Sequence, residues 1–404
     1  MTLFHFLLLI GDFMLKYSDN LANFRVWIIS CVVIIIITQN IFMTVAEKII
    51  KPTQAGIFRT VFLYTGQGEA TLMVIPTGQN VNDYMYVLVD SDKDNEKNEI
   101  DLVYLFKELF SNGGKLSTFI NTHPHNDHIG GIKEIYDEIG FSEVWHSNHK
   151  AGGKHKEKYE VFTEVLKKVG KSNEYFLLGT NELNKIRTSE NVPTTKKLGL
   201  IDFQVISPAQ YLCEDIQEGD ADERNKRIHE QCGVIKFTYG TNPKSILMTG
   251  DSDKEAWKEH ITEYHKDSLP ADVLSASHHG SRTFFKNGKD DKDVYEAHIE
   301  YIKPSYLIIS APKQSESPHE HPHDDAMELY KKHIDEDGIL HLGANIESVI
   351  VDIDSYGNIT VKTDKELIEK YGISENAGEN GKNDASKNVY IGVQTSRIDN
   401  KPMG

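Results

Sequence analysis

The sequence predicts a mixed α/β fold, and three observations predict it. Short runs rich in Val, Ile, Phe and Leu, each the length of a strand, recur over residues 59–89 and again at 116–120. Between them, residues 98–110 read as an amphipathic helix, because Leu102, Leu105, Phe106 and Leu109 keep helical spacing. Strands that alternate with helices are the pattern of an α/β chain. The buried strand at 116–120 then runs into Thr122-His123-Pro124-His125-Asn126-Asp127-His128-Ile129-Gly130-Gly131, where three imidazoles and a carboxylate fall within six residues.

Imidazole nitrogen and carboxylate oxygen suit zinc, iron or manganese. Ligands one residue apart in a loop, such as His123 and His125, can converge on one ion, while Asp127 and His128 can face a second. A solvated polar loop would explain a lone histidine, but the full H-x-H-x-D-H pattern is more specific. At these residues the chain resembles the metallo-β-lactamase superfamily, whose signature is H-x-H-x-D-H. The resemblance implies a four-layer αββα sandwich with a di-metal site at one edge of its two sheets.

Bulk properties set bounds. A chain of 404 residues allows one large domain or two ordinary ones. With 39 % hydrophobic and 26 % charged residues, the composition is ordinary for a soluble core. The formal charge of −17 argues against a broad nucleic-acid footprint. It does not exclude an anionic substrate, because bound divalent ions would reverse the local field. Cys31, Cys213 and Cys232 fit neither a disulfide framework nor a zinc ribbon. Residues 26–42 form an apolar run about long enough to cross a bilayer. That run reads as a signal anchor, a signal-peptide core, a segment upstream of a true start at Met43, or a buried element. Localisation is therefore either membrane-anchored through this segment or cytoplasmic.

The soluble domain is expected to begin at Phe58. A strand at 59–65 leads to Gly66-Gln67-Gly68-Glu69-Ala70, then strands at 71–75 and 84–89, the last closing on Asp90-Ser91-Asp92. In this order the elements resemble the hydrolase domain of the ComEC family of DNA-uptake proteins and their free-standing relatives. That family usually has Asp where this chain has Glu69, and often Gly where it has Ser91.

Further along, a helix is expected at 129–139, a short strand at 143–145 and a charged helix at 154–169. His146, His149 and His155 read mainly as surface residues, with the alternative that one of them reaches the substrate pocket, and 171–197 as an insertion or lid loop. A strand-like stretch at 198–207 and a charged stretch at 214–230 precede a hairpin over 233–249. The hairpin ends on Thr249-Gly250-Asp251. This resembles the superfamily element whose Asp bridges two metals, so the resemblance assigns Asp251 as the bridge, although a helix N-cap would also explain an Asp there. His229 is the residue in reach of the remaining ligand position, where ComEC-like members often carry a non-His residue.

A strand at 272–277 delivers His278-His279-Gly280-Ser281-Arg282. This H-H-G-S resembles the ComEC-like family, which implies that one of the two imidazoles ligates the second metal and the other faces substrate. Ser281 and Arg282 could hold an oxyanion. After a strand at 304–310, His321-Pro322 matches the family's H-P element, with His321 substrate-facing or proton-donating and His319 and His323 solvated. A helix at 324–333 and a hairpin over 346–361 close the domain at 363, and 364–404 reads as a polar flexible tail.

The expected chemistry follows from the resemblance. His123, His125 and, if it ligates, His229 would hold one ion. Asp127, His128 and one of His278 and His279 would hold the other, with Asp251 between them. A hydroxide held by two divalent ions would attack a phosphoester or phosphodiester of a nucleotide or nucleic acid. Zinc is the first expectation, with manganese or iron open. A small ester, lactone or lactam is the second substrate reading, and a non-catalytic, membrane-tethered metal module the third.

Overall fold

The structure, a computed structural model, describes residues 43–93 and 96–374. The apolar run at 26–42, with its expected membrane association, and most of the expected tail lie outside these residues. Among the described residues no helix is long and apolar enough to cross a membrane.

The strands are β1 (Ile57–Phe62), β2 (Thr71–Pro76), β3 (Tyr84–Val89), β4 (Leu116–Asn121), β5 (Phe141–His146), β6 (Glu174–Phe176), β7 (Lys185–Thr188) and β8 (Pro193–Thr195). They continue with β9 (Asp202–Ser207), β10 (Val234–Tyr239), β11 (Lys244–Met248), β12 (Val273–Ser275), β13 (Tyr306–Ile309), β14 (Ile339–His341), β15 (Ser348–Asp354) and β16 (Ile359–Asp364). Among the described residues they make a ten-stranded sheet, ordered β16-β15-β1-β2-β3-β4-β5-β6-β7-β8, and a six-stranded sheet, ordered β14-β13-β12-β11-β10-β9.

Parallel neighbours need crossover connections, and helices supply them. The pair β3–β4 is joined through Leu102–Leu109, β4–β5 through Ile132–Glu138 and β5–β6 through Lys156–Val169. In the second sheet β11, β12, β13 and β14 run parallel, so their carboxyl ends share one edge. That edge is where polar side chains can leave the core and meet a ligand. Asp251 follows β11, His278 and His279 follow β12, and Ser310 follows β13.

Alternation along the strands divides the core. Ile246, Met248, Val273 and Ile308 join the large cluster that also holds Phe58, Phe62, Phe203 and Phe237. Their neighbours Leu247, Leu274, Leu307 and Ile309 join a second cluster with Trp257, Phe284, Ile299, Ile302 and Tyr330. Successive strand residues point to opposite faces. The six-stranded sheet is therefore buried on both, against the first sheet on one side and under helices on the other. The mixed α/β architecture with packed sheets is consistent with the expected class.

Several expected bounds change. The helix Val45–Ile50, closed by a capping box at Thr44, buries Ala46, Ile49 and Ile50 before residue 58 is reached. At the other end, the helix Glu366–Tyr371 buries Leu367 and Tyr371 beyond residue 363. The two are joined: the Ala46 N–H donates to Tyr371 Oη at 2.7 Å, and that hydroxyl donates to Glu108 Oε2 at 2.8 Å. Residues 171–197 are not an irregular loop but contribute β6, β7 and β8. The charged stretch at 214–230 contains the helix Ala221–Lys226 and the end of Gln210–Glu218.

Candidate metal centre

The histidine loop leaves β4 and makes a single helical turn, Asn126–Ile129, rather than a helix starting at 129. Gly130 and Gly131 break it, Gly131 at φ 69°, before Ile132–Glu138 begins. Asp127 and His128 thereby sit on the turn itself. After β12, His278 (φ 50°) and His279 (φ 58°) are both left-handed, a conformation costing roughly 1–2 kcal/mol for a residue with a Cβ. That twist aims both rings at the same site. Gly250 is also left-handed, at φ 48°, and a Cβ there would lie 2.6 Å from Cys232 Sγ and from Thr122 Oγ1. Only glycine lets β11 deliver Asp251 this closely beneath the histidine loop.

Among the described residues three groups of donor atoms result; one, Glu69, Asp90 and His128, lies behind the other two, which share Asp251. His123, His125, His229 and Asp251 form one, and Asp127, His128, His279 and Asp251 the other, with the donor atoms of each group within 4.8 Å of one another. Asp251 divides its oxygens between them. Its Oδ2 lies 3.6 Å from His123 Nε2 and 3.8 Å from His229 Nε2. Its Oδ1 lies 3.1 Å from His128 Nε2 and 3.6 Å from His279 Nε2. Between the two histidines that the sequence could not separate, His279 joins the second group. His278 stands beside the first, 3.5 Å from Asp251 Oδ2, and is half-buried at the cleft.

The neighbours of the rings fix which nitrogen faces the site. Asp90 Oδ2 accepts from His128 Nδ1 at 2.8 Å, which leaves Nε2 towards Asp251. The Ser310 carbonyl accepts from His279 Nδ1 at 2.8 Å with the same consequence. Asp90 also accepts from the Thr122 hydroxyl at 2.6 Å, and Thr122 Oγ1 lies 3.3 Å from His123 Nδ1. One carboxylate thus orients a histidine in each group, directly or through Thr122. Such outer hydrogen bonds hold ligand rings in place.

His321 is set in the opposite sense. Ser317 Oγ donates to Gln67 Oε1 at 2.5 Å, so the Gln67 amide must donate to His321 Nδ1, 3.1 Å away. The proton of neutral His321 is then on Nε2. Burial, reinforced by His278 and His279, pushes this imidazole down to about 2, so it is a neutral hydrogen-bond donor and not an imidazolium acid.

The electrostatics divide the centre: burial and neighbouring imidazoles hold His123 and His125 well below the ordinary histidine range. Burial opposes protonation of His128, yet Asp251 and Asp90 raise it well above the ordinary histidine range. Asp251 is pushed up by burial, but the surrounding histidines, His128 first, bring it well below the usual carboxylate range. Beneath them Glu69, fully buried, is pushed up to about 7 by burial and by the Asp90 charge, and its Oε1 accepts from Ser275 Oγ at 2.9 Å.

Burial supplies a direct test of fit. His123 Nε2 and both Asp251 oxygens are buried and face one another and other ring nitrogens at 3.1–3.8 Å without forming an aligned hydrogen bond. Unsatisfied buried polar atoms are uncommon, and imidazole with carboxylate is the donor set that divalent ions complete. The residues fit divalent metal binding.

Some expected roles change. Arg282 pairs with Asp325 (3.0 Å) and Ser281 Oγ accepts from Thr283 N–H (3.3 Å), so both are engaged in holding the loop after β12 rather than presented to an oxyanion. His323 is buried, not solvated, and accepts from Arg282 N–H at 3.1 Å; His319 is exposed. His146, His149 and His155 are buried too. His146 pairs with Glu174 at 3.0 Å and His149 with Gln231 at 2.6 Å. His155 stacks on His125 with ring centroids 3.8 Å apart and lines the cleft. Asp90 is the neighbour of the site that sequence reasoning missed, and His155 takes the pocket place left open for one of the three histidines. The placement of Asp90 at the end of β3, next to the β4 loop, was the signal available for it.

The centre lies at the floor of an open cleft of about 720 Å³. Residues 91–206 match the family model described as the Metallo-beta-lactamase superfamily. No curated protein matches the chain. Among solved structures, Igni18, described as a metallo hydrolase from the hyperthermophilic archaeon Ignicoccus hospitalis, is similar at 13 % identity, covering 76 % of this chain and 98 % of its own, with a TM-score of 0.38. ST1585, a superfamily protein from Sulfolobus tokodaii, is similar at 15 % identity, covering 86 % of this chain and 92 % of its own, with a TM-score of 0.26. TM-scores this low leave the match over residues 91–206 as the finding that bears on kinship.

Proposed function

Because the chain carries a metallo-beta-lactamase superfamily domain, we propose that it is a hydrolase of phosphoesters, most simply phosphodiesters, that works with two divalent metal ions. The observation that carries the reading is Asp251, whose two oxygens face different sets of histidines. His123, His125 and His229 would hold one ion, Asp127, His128 and His279 the other, and Asp251 both. Zinc is the first metal to test, and manganese and iron accept the same donors.

Bound there, such ions supply Lewis acidity and lower the pKa of a water. The chain's own groups do the rest. Asp90 and the Ser310 carbonyl keep His128 and His279 turned to the centre. His321, neutral and oriented by Gln67, offers its Nε2–H to an oxygen of the substrate or leaving group. His278, held through Nδ1 by Thr283 at 2.9 Å, borders the same space. In the reaction, water oxygen joins phosphorus, the P–O bond to the alcohol breaks, and the proton given up by the water ends on the leaving oxygen, which His321 stabilises by its hydrogen bond without giving up its own proton. The phosphoester preference is supported by the ComEC-like succession of G-Q-G-E, T-G-D and H-H-G-S. Membrane association through residues 26–42 is proposed on their sequence alone, and partitioning of full-length protein against residues 43–404 tests it.

The decisive experiment measures metal content and then hydrolysis of bis-p-nitrophenyl phosphate with and without chelator. About two metals per chain with chelator-sensitive turnover is the expected result. Two metals without turnover would move the reading to small esters, lactones or lactams. A protein that takes up no metal would overturn it.

A further inference from the structure

Five imidazoles cross the cleft in ring-to-ring contact. Centroid separations are 3.8 Å for His155–His125, 4.9 Å for His125–His229, 4.4 Å for His229–His278 and 5.2 Å for His278–His321. The row runs between two parts of the cleft lined by side chains of opposite charge.

At the His155 end, exposed Lys154 and Lys226 line the cleft. Their segments are tied together there, since Gly152 N–H donates to Asn225 Oδ1 at 3.1 Å. At the His321 end, exposed Glu96 and Glu316 line it. Both lie around Tyr64, whose phenol is pushed up to about 12 by burial and then by the charges of Glu316, Glu99 and Glu96. Gln67, three residues on from Tyr64, is the residue that reaches His321. Asp251 lies between these ends, its Oδ2 3.8 Å from His229 Nε2 and 3.5 Å from His278 Nε2, two rings within the row.

We propose that the substrate is a small phosphodiester of split charge. Its phosphate lies over Asp251, one arm bearing an ammonium group points to Glu96 and Glu316, and the other, polar or anionic, points to Lys154 and Lys226. The proposal rests on the phosphodiesterase reading. A nucleic-acid strand running the length of the cleft would set its next phosphate against the two glutamates, and like charges so placed select against a partner. An ammonium arm meets opposite charge at that same end. The phosphate would be met by metal ions held at the centre, and the side chains at the ends discriminate between arms.

The test uses the metal-loaded, full-length protein and two chromogenic diesters, p-nitrophenyl phosphorylcholine and the p-nitrophenyl ester of thymidine monophosphate. Wild-type kcat/KM is expected to favour the choline ester. In the Glu96→Gln/Glu316→Gln double variant that ratio should fall about tenfold, the size expected for two exposed charge contacts. The Lys154→Gln/Lys226→Gln variant should not lower it. No preference in the wild type, or a preference untouched by the glutamate changes, overturns the proposal. If neither ester is hydrolysed, the phosphodiesterase reading fails on its own, and calorimetric binding of phosphocholine against inorganic phosphate then decides the split charge. Tighter phosphocholine binding that the double glutamate variant loses upholds it; equal binding overturns it.

Discussion

Asp90 is fully buried at the end of β3 and receives hydrogen bonds from Thr122 N–H (2.8 Å), the Thr122 hydroxyl, Asn121 and His128. Its role follows from what an acceptor does to an imidazole. By holding the proton on His128 Nδ1 it frees Nε2 as a donor atom to a cation. An amide at this position would turn an N–H towards His128 or Thr122 and lose one of these bonds. Asp90→Asn is therefore expected to weaken metal affinity by about 10–100-fold, the usual cost of removing an outer partner of a ligand. Competition with a chromogenic chelator reads this directly. Unchanged affinity would mean that the ring of His128 is held by packing alone.

The elements carry unequal amounts of this information. H-x-H-x-D-H, T-G-D and H-H-G-S are contiguous, so local spacing is enough to find them. The orientation of their rings is not local. Asp90 lies 38 residues from His128, and His155 lies 29 residues from Asn126, whose N–H it accepts at 3.3 Å. Which of His278 and His279 faces the second donor group depends on the Ser310 carbonyl beyond the next strand. The short strands β6, β7 and β8 carry too few apolar residues for a period to show. The same holds for the six-residue helices at the two ends of the described body. Their contribution can be measured. A chain ended after Thr363 loses the buried side chains Leu367, Ile368 and Tyr371, whereas one ended after Ser374 keeps them. The shorter chain is expected to be less stable by roughly 5 kcal/mol, since each large apolar side chain contributes about 1.5–3 kcal/mol at most. Equal urea midpoints for the two would show that the terminal helix adds nothing.

At the scale of the whole molecule, acid should weaken the fold through a buried group that does not line the cleft. His298 is fully buried among Trp257, Phe284, Phe285 and Tyr295, with ring centroids 4.1–5.4 Å away. Burial pushes it down to about 3 from an ordinary value of 6.5. As pH falls below 6.5 the unfolded chain takes up a proton here that the folded chain refuses until about 3. Stability is thus complete above 6.5 and lost progressively down to about 3. Between pH 7 and pH 5 this one group accounts for about 2 kcal/mol. Urea unfolding at those two values should show a loss smaller by that amount in His298→Leu than in the wild type. An equal loss in both proteins would exclude His298 as the source.

The bond between Ala46 and Tyr371 also decides how the molecule would carry a mechanical load. The first and last described helices grip each other, and Ile373 N–H donates to the Glu99 carbonyl at 2.9 Å while Asn98 N–H donates to the Ile373 carbonyl at 3.0 Å. Tension between the two ends therefore passes through a short path of helix and loop and bypasses both sheets. The helix Glu366–Tyr371 would peel first, and it would tug on the backbone beside Glu96 before any strand parted.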